Sequence, residues 1–234
     1  MPEIRYTRVV ELSHPIRPDM PRWPGDPPTR FTTLARLASD GYFLRRLSMG
    51  EHSGTHLNAP AHFLADGSGA DAIPAERLVL PAALLDARAQ CRLDPDYAFS
   101  PRDLLDWEAA HGPLPPGCLA ILFTGWQERW DDPRAFLNPD AQGRLHFPGF
   151  SLEAARLLLE ERGAAGLGSD AHGVEPGLDE TFSVNRYALA RGALVLENLA
   201  RLDQLPPVGA TLIIGRLPLA GGSGAPAAVL ALLP

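Results

Sequence analysis

His52-Ser53-Gly54-Thr55-His56-Leu57-Asn58-Ala59-Pro60-Ala61-His62-Phe63 is the stretch on which the reading of this chain turns. It gathers three of the chain's seven histidines. Gly54 inside it and Pro60 close behind exclude a helix, so the His-x-x-x-His pair is not a helical zinc pair. The Glu of a His-Glu-x-x-His protease helix is also missing. In locally extended backbone His52, His56, Asn58 and His62 are even-spaced and point to one side. Imidazoles converging on one face make a borderline-soft site suited to zinc, manganese or iron. Gly54 permits close backbone approach, and Thr55 is placed to hold a ring from behind.

Around this stretch, short apolar runs between turn signals predict strands over 77–86, 119–124, 193–197, 211–216 and 227–233, with a further one over 44–49. Ser100-Pro101-Arg102-Asp103 opens a helix that runs to His111 and stops at Gly112. A second helix is expected over 151–162 before Gly163, and a third over 183–191 before Gly192. Turn-rich stretches such as 15–28 fit a doubly wound sheet poorly. The pattern predicts one α/β unit, a mixed sheet with a few covering helices, and no domain boundary within 1–234.

Composition narrows the function. All 21 basic residues are Arg, which excludes Schiff-base lysines, a Walker-A loop and a Ser-Lys dyad. A net charge of −7 and the lack of an Arg-rich run with aromatics argue against a nucleic-acid partner. No run of apolar residues is long enough for a membrane span, and the first residues lack a signal-like apolar region, so a cytoplasmic protein is expected. Cys91 and Cys118 lie in no metal or redox spacing and are expected to be reduced thiols.

The histidine stretch resembles the His-x-Gly-Thr-His-x-Asp-x-Pro-x-His-Phe signature of the putative cyclase family, which includes bacterial kynurenine formamidases and isatin hydrolases. Further blocks are similar in the same order: Glu11-Leu-Ser-His14-Pro with Met20-Pro-Arg-Trp23-Pro-Gly-Asp26, Phe123-Thr-Gly-Trp126, Phe147-Pro-Gly149, Gly168-Ser-Asp170, Leu196-Glu197-Asn198-Leu199 and Pro218-Leu through Pro226. The resemblance implies a swivelling β/β/α-type domain, usually a homodimer or homotetramer. It also implies a metal-dependent hydrolase that cleaves an aryl formamide or a cyclic amide. By position, His52 and His56 match metal ligands, and position 58 matches an aspartate that ligates or bridges metals. His62 matches the catalytic acid/base, and Glu197 matches a carboxylate that binds a second metal or assists the base.

Two positions depart from the pattern. Position 58 is Asn, and Asn185 stands where the family has a His in the helix before Glu197-Asn198-Leu199. An amide oxygen carries no charge and bridges two cations poorly, so one divalent metal per chain, zinc or manganese, is expected rather than two. His172 is expected to enter the site and take the role vacated at Asn185. Asp170 is expected to orient His172 or the substrate. Trp23 and, with equal standing, Trp126 are candidates for an aromatic wall around a small-molecule substrate. The alternatives are a metal-binding relative without catalysis, and a lyase or cyclase using the same metal.

Overall fold

A computed structural model describes residues 4–234. Among them are twelve strands: β1 (Arg8–Glu11), β2 (Arg30–Ala35), β3 (Leu44–Ser48), β4 (His56–Asn58), β5 (Val79–Asp86), β6 (Ala98–Phe99), β7 (Leu119–Phe123), β8 (Gly149–Phe150), β9 (Gly166–Ser169), β10 (Leu194–Glu197), β11 (Val208–Arg216) and β12 (Gly224–Leu233). Eight of these form one mixed sheet in the order β1-β12-β11-β5-β7-β9-β10-β4. β4 pairs with β12 as well as β10, so the sheet closes on itself. β5, β7, β9 and β10 run parallel, and the remaining pairs of this sheet are antiparallel.

The fully apolar strands follow from burial on both faces. Along β7, Leu119, Ile121 and Phe123 join the cluster inside the closed sheet, with Leu57, Leu196, Leu212 and Val229. Ala120 and Leu122 face outward into a second cluster with Leu104, Trp107, Ala155, Leu158 and Val184 from the covering helices. A strand buried on both faces reads as an unbroken hydrophobic run rather than an alternation. The helix Pro101–His111 begins at the expected Ser100–Asp103 capping box, and its Trp107 indole N–H donates to the Leu84 carbonyl at 2.8 Å. The helix expected over 151–162 is α-helical over Leu152–Arg156 and widens to a π turn over Leu157–Glu161. The third helix spans Ser183–Ala190.

The sheet is thus mixed and lightly covered, as its pattern predicts, but its closure was not expected. The closing pairs lie in residues without a strand signature: Gly224–Pro226 of β12 against His56–Asn58 of β4. β9, Gly-Leu-Gly-Ser, likewise carries no strand signature. Gly166 is required there because a Cβ would stand 2.4 Å from the Leu194 carbonyl oxygen. The strand expected at 44–49 forms, but it pairs only with β2, in a hairpin apart from the main sheet. Leu34, Leu37, Tyr42, Phe43, Leu44 and Leu47 of that hairpin are exposed.

Candidate active site

The short strand β4 builds the site. In its antiparallel register with β10, His56 lies opposite Glu197, and a directly opposed pair shares one face of the sheet. The His56 Nε2 atom stands 3.2 Å from Glu197 Oε2. His52 arrives from the turn before β4, and His62 from a 3-10 turn (Pro60–His62) after it. Strand alternation therefore does not gather the histidines, as the spacing implied. The chain folds back so that the His52 and His62 rings stack, with centroids 3.9 Å apart. Gly224 makes room for this arrangement, since a Cβ there would lie 2.5 Å from the His52 ring.

Hydrogen bonds determine which nitrogen of each ring is free. His56 Nδ1 lies 2.9 Å from the Gly54 carbonyl, so it is the N–H donor, and in the neutral ring Nε2 is a lone pair aimed toward Glu197. This buried Nε2 makes no hydrogen bond. The Glu51 carboxylate accepts the Ser223 hydroxyl proton at 2.7 Å, which leaves Ser223 Oγ to accept from His52 Nε2 at 2.9 Å. His52 Nδ1 then carries the lone pair, 2.9 Å from the Asn58 amide oxygen. Two pairs of electron-rich atoms thus face each other inside one pocket. Carboxylates and carbonyls holding the far nitrogens of histidines are the pattern that supports metal-ligating imidazoles. Thr55, expected to hold a ring, instead donates to the Asn198 carbonyl at 2.6 Å. Among the described residues no three His, Cys, Asp or Glu side chains form a metal-holding group by themselves. The orphaned lone pairs nevertheless fit a cation held by His56 and Glu197, with His52 and the Asn58 oxygen completing the donor set.

Behind these ligands lies a buried polar chain. The Asn58 amide N–H groups donate to Asn185 Oδ1 and Glu197 Oε1, each at 2.9 Å. The Asn185 amide donates to Glu197 Oε1 at 2.9 Å and to Glu175 Oε1 at 3.0 Å. Burial alone would raise the Glu197 pKa, but the positive charge that the His56 ring carries when protonated, together with the Asn185 amide, outweighs it and lowers the carboxyl to about 2; with the ring neutral only the amides oppose burial. Burial pushes Glu175 the other way, up to about 8.

A cavity of about 180 Å³ opens onto this centre, with Trp23, Phe63, Phe147 and Phe182 among its walls. His172 lines it too, buried and edge-on to Trp23 at 5.3 Å, with both ring nitrogens free of hydrogen bonds. Asn185 is itself engaged by Glu175 and Glu197, and His172 lines the same cavity. Two expected wall or pocket residues lie elsewhere. Trp126 is buried in a neighbouring cluster, its indole N–H donating to the Phe136 carbonyl at 2.7 Å. Asp170 is fully buried, accepting from the Thr124 N–H (2.9 Å) and hydroxyl (2.7 Å) and from the Gln127 N–H (3.2 Å). It fastens the loop after β7 to the end of β9, and no hydrogen bond joins it to His172. Asp170→Ala is expected to lower stability by about 3 kcal/mol, because it leaves buried donors unpaired, and thermal unfolding measures this.

Sequence reasoning missed Asp26, Phe63, Phe147, Glu175 and Phe182 as cavity-lining residues. Asp26 lies within electrostatic reach of both His56 and His62. Asp26 falls inside the Trp23-Pro-Gly-Asp26 block, Phe63 closes the histidine stretch and Phe147 opens the Phe147-Pro-Gly149 block, so these three carried a sequence signal, whereas Glu175 and Phe182 did not.

Burial lowers the pKa values of His14, His52 and His172 to about 4 and also lowers that of His62. Each of the three is neutral when folded and titrates near 6.5 when unfolded. Their contribution to stability is therefore complete above about pH 6.5 and is lost as pH falls toward 4. Metal-free protein is expected to lose stability steeply across that window, His172 alone accounting for about 3 kcal/mol. Urea unfolding at several pH values measures it, and a flat profile would contradict these burial assignments.

The putative cyclase family model matches residues 10–176 of this chain. The chain belongs to the putative cyclase family. Among its family relatives, the isatin hydrolase of Roseibium aggregatum is 33% identical over 219 residues, covering 89% of this chain and 82% of that protein. The kynurenine formamidase of Salinibacter ruber is 29% identical over 227 residues, covering 93% and 94%. Isatin hydrolase A from Ralstonia solanacearum superposes with a TM-score of 0.92 at 34% identity, over 97% of this chain and 92% of its own. A structure described as a potential metal-dependent hydrolase with cyclase activity superposes with a TM-score of 0.73 at 25% identity, over 96% of each chain.

Proposed function

We propose that this cavity hydrolyses the carbon–nitrogen bond of an aryl formamide, such as N-formylkynurenine, or of a cyclic amide fused to an aromatic ring, such as isatin. The chain is a hydrolase of the amidohydrolase kind, as are its isatin hydrolase and kynurenine formamidase relatives. The observation that carries the reading is the His56 Nε2 lone pair set 3.2 Å from Glu197 Oε2 at the base of an aromatic-walled cavity. One divalent cation, zinc or manganese, would be held by His56, Glu197, His52 and the Asn58 oxygen. When bound, it supplies a Lewis acid and lowers the pKa of water from about 15.7 toward about 7.

The residues of the chain do the rest. Trp23, Phe63, Phe147 and Phe182 clasp the flat ring of the substrate. An apolar cavity of about 150 Å³ takes a benzene-sized molecule, so about 180 Å³ suits one ring with a fused or pendant amide. His62 stands at the cavity mouth, partly exposed but with its ring stacked on His52, and the loss of solvent around that ring lowers its pKa and favours the neutral form. It takes the proton released as water adds to the carbonyl and returns it to the departing nitrogen, leaving an amine and a carboxylic acid, which then gives up its proton to solvent. His172, neutral and with unpartnered ring nitrogens, donates a hydrogen bond to a second oxygen of the substrate.

Assembly as a homodimer or homotetramer belongs to the same reading. The apolar strip on the β2–β3 hairpin supports it, as do Arg30, Arg36, Arg45 and Arg46 there on a chain of net charge −7. A cytoplasmic location is consistent with Cys91 and Cys118, which are buried, unbridged, and pushed up to about 12 by burial. Among the described residues no helix is long and apolar enough to cross a membrane. The direct test of function is turnover of N-formylkynurenine and isatin by protein loaded with manganese or zinc. Hydrolysis of either supports the reading, and inertness toward both and toward related aryl amides with either metal contradicts it.

A further inference from the structure

Phe182 occupies the cap position of the helix Ser183–Ala190. Ser, Thr, Asp and Asn favour that position, because their side chains accept from the first free N–H groups of a helix. Phe182 makes no such bond. Its backbone is left-handed as well, with φ 55° and ψ 44°, a region open to glycine and costly for a bulky side chain. The preceding loop does the capping instead. The Asp179 carboxylate accepts from the Ser183 backbone N–H at 3.1 Å, and Glu175 Oε2 accepts from the Asn185 backbone N–H at 2.8 Å. The helix start thus needs nothing from the side chain at position 182. A phenyl ring held there against the backbone preference points to a role in what the ring touches.

The ring stands on a boundary. Beside the cavity of about 180 Å³ lies a second recess of about 200 Å³, lined also by Pro24 and Leu145. Trp23, Gly177, Asp179 and Phe182 line both spaces. Gly177 has no side chain to project, and the Asp179 carboxylate is taken up by the N–H and hydroxyl groups of Thr181 and Ser183. The partition is therefore the pair of rings, Trp23 and Phe182, with centroids 5.9 Å apart. Phe182 also packs on Phe63 at 5.3 Å. We propose that Phe182 is a specificity-determining residue: with Trp23 it shuts the recess off from the cavity and excludes aryl amides whose ring carries a further bulky group on the edge that faces it. The inference rests on the hydrolase reading above for the class of substrate, and on the geometry alone for the partition.

The test is calorimetric binding to the whole chain of oxindole, a stable cyclic amide fused to a benzene ring, and of its isomers bearing a phenyl group on that ring. Phe182→Gly removes the side chain at a position whose backbone glycine adopts freely, so the loop keeps its course. At least one phenyl isomer is expected to bind at least about tenfold more tightly to Phe182→Gly than to wild type, while oxindole itself, having lost a wall, binds more weakly. Phe63→Ala is the control, because Phe63 lines the cavity but not the recess. It should weaken oxindole and give no phenyl isomer a gain. No gain for any isomer in Phe182→Gly overturns the proposal. So does an equal gain in Phe63→Ala, which marks a merely roomier cavity. Should Phe182→Gly fail to fold, Phe182→Asn, which tolerates the left-handed backbone and can cap the helix, decides the same comparison. Wild type that leaves oxindole unbound would refute the aryl-amide reading, and the partition is then decided by the same comparison with indole and the phenylindoles, which carry no amide.

Discussion

Glu197→Gln is expected to abolish turnover, by roughly a thousandfold or more, while leaving the fold at least as stable as wild type in the absence of metal. The geometry makes this an unusually clean substitution. Oε1 accepts from Asn58 and Asn185, and an amide oxygen in its place accepts equally well. Oε2 faces the His56 lone pair, and an amide N–H there would donate to it across the present 3.2 Å. The variant supplies as a hydrogen bond what a cation supplies in the wild type. It therefore removes the only carboxylate among the proposed ligands without leaving a buried group unpaired. Thermal unfolding with and without manganese separates the two effects. Metal should raise the wild-type midpoint and leave the variant unmoved. Retention of full activity by the variant would show that Glu197 holds nothing the reaction needs.

His62→Ala is expected to lower kcat about 10²- to 10⁴-fold, the usual range for loss of a general acid–base group, with metal content unchanged. The ring is at the cavity mouth and accepts none of the interactions that hold the ligand side chains, although it stacks on His52. Burial and the nearby His56 lower its pKa, with Glu197 and Asp26 opposing. Activity that requires the neutral ring should fall as pH drops through that lowered value, below 6.5. The acid limb should vanish in the variant, and exogenous imidazole should restore part of the rate. A variant with wild-type kcat and an unaltered pH profile would remove His62 from the chemistry.

The parts of the fold legible in the sequence were those whose signal is local. β5, β7 and β10 are apolar runs bounded by turns, and the helix Pro101–His111 carries its own capping box. What escaped was set by partners far along the chain. Gly224–Pro226 becomes strand only because β4 lies against it, and Gly-Leu-Gly-Ser becomes strand because Gly166 fits beneath the Leu194 carbonyl. The site divides the same way. His52, His56, Asn58 and His62 sit in one short segment and could be read together. Glu175 and Phe182 reach the cavity through tertiary packing alone, and Phe147, although it opens the Phe147-Pro-Gly149 block, carries nothing in sequence that aims it at the cavity. The expected orienting role of Asp170 is not what its bonds show, because a turn aspartate looks the same in sequence whether it faces a cavity or, as here, the backbone behind it.

The central claim is that the lone pairs of His56 and His52, the Glu197 carboxylate and the Asn58 oxygen together hold one divalent cation. The most direct measurement is elemental analysis of metal per chain, on protein purified without a histidine tag, for wild type and His56→Ala. The account predicts about one manganese or zinc per wild-type chain and none in the variant. No metal in wild type after exposure to both ions, or equal metal in the two proteins, would contradict it.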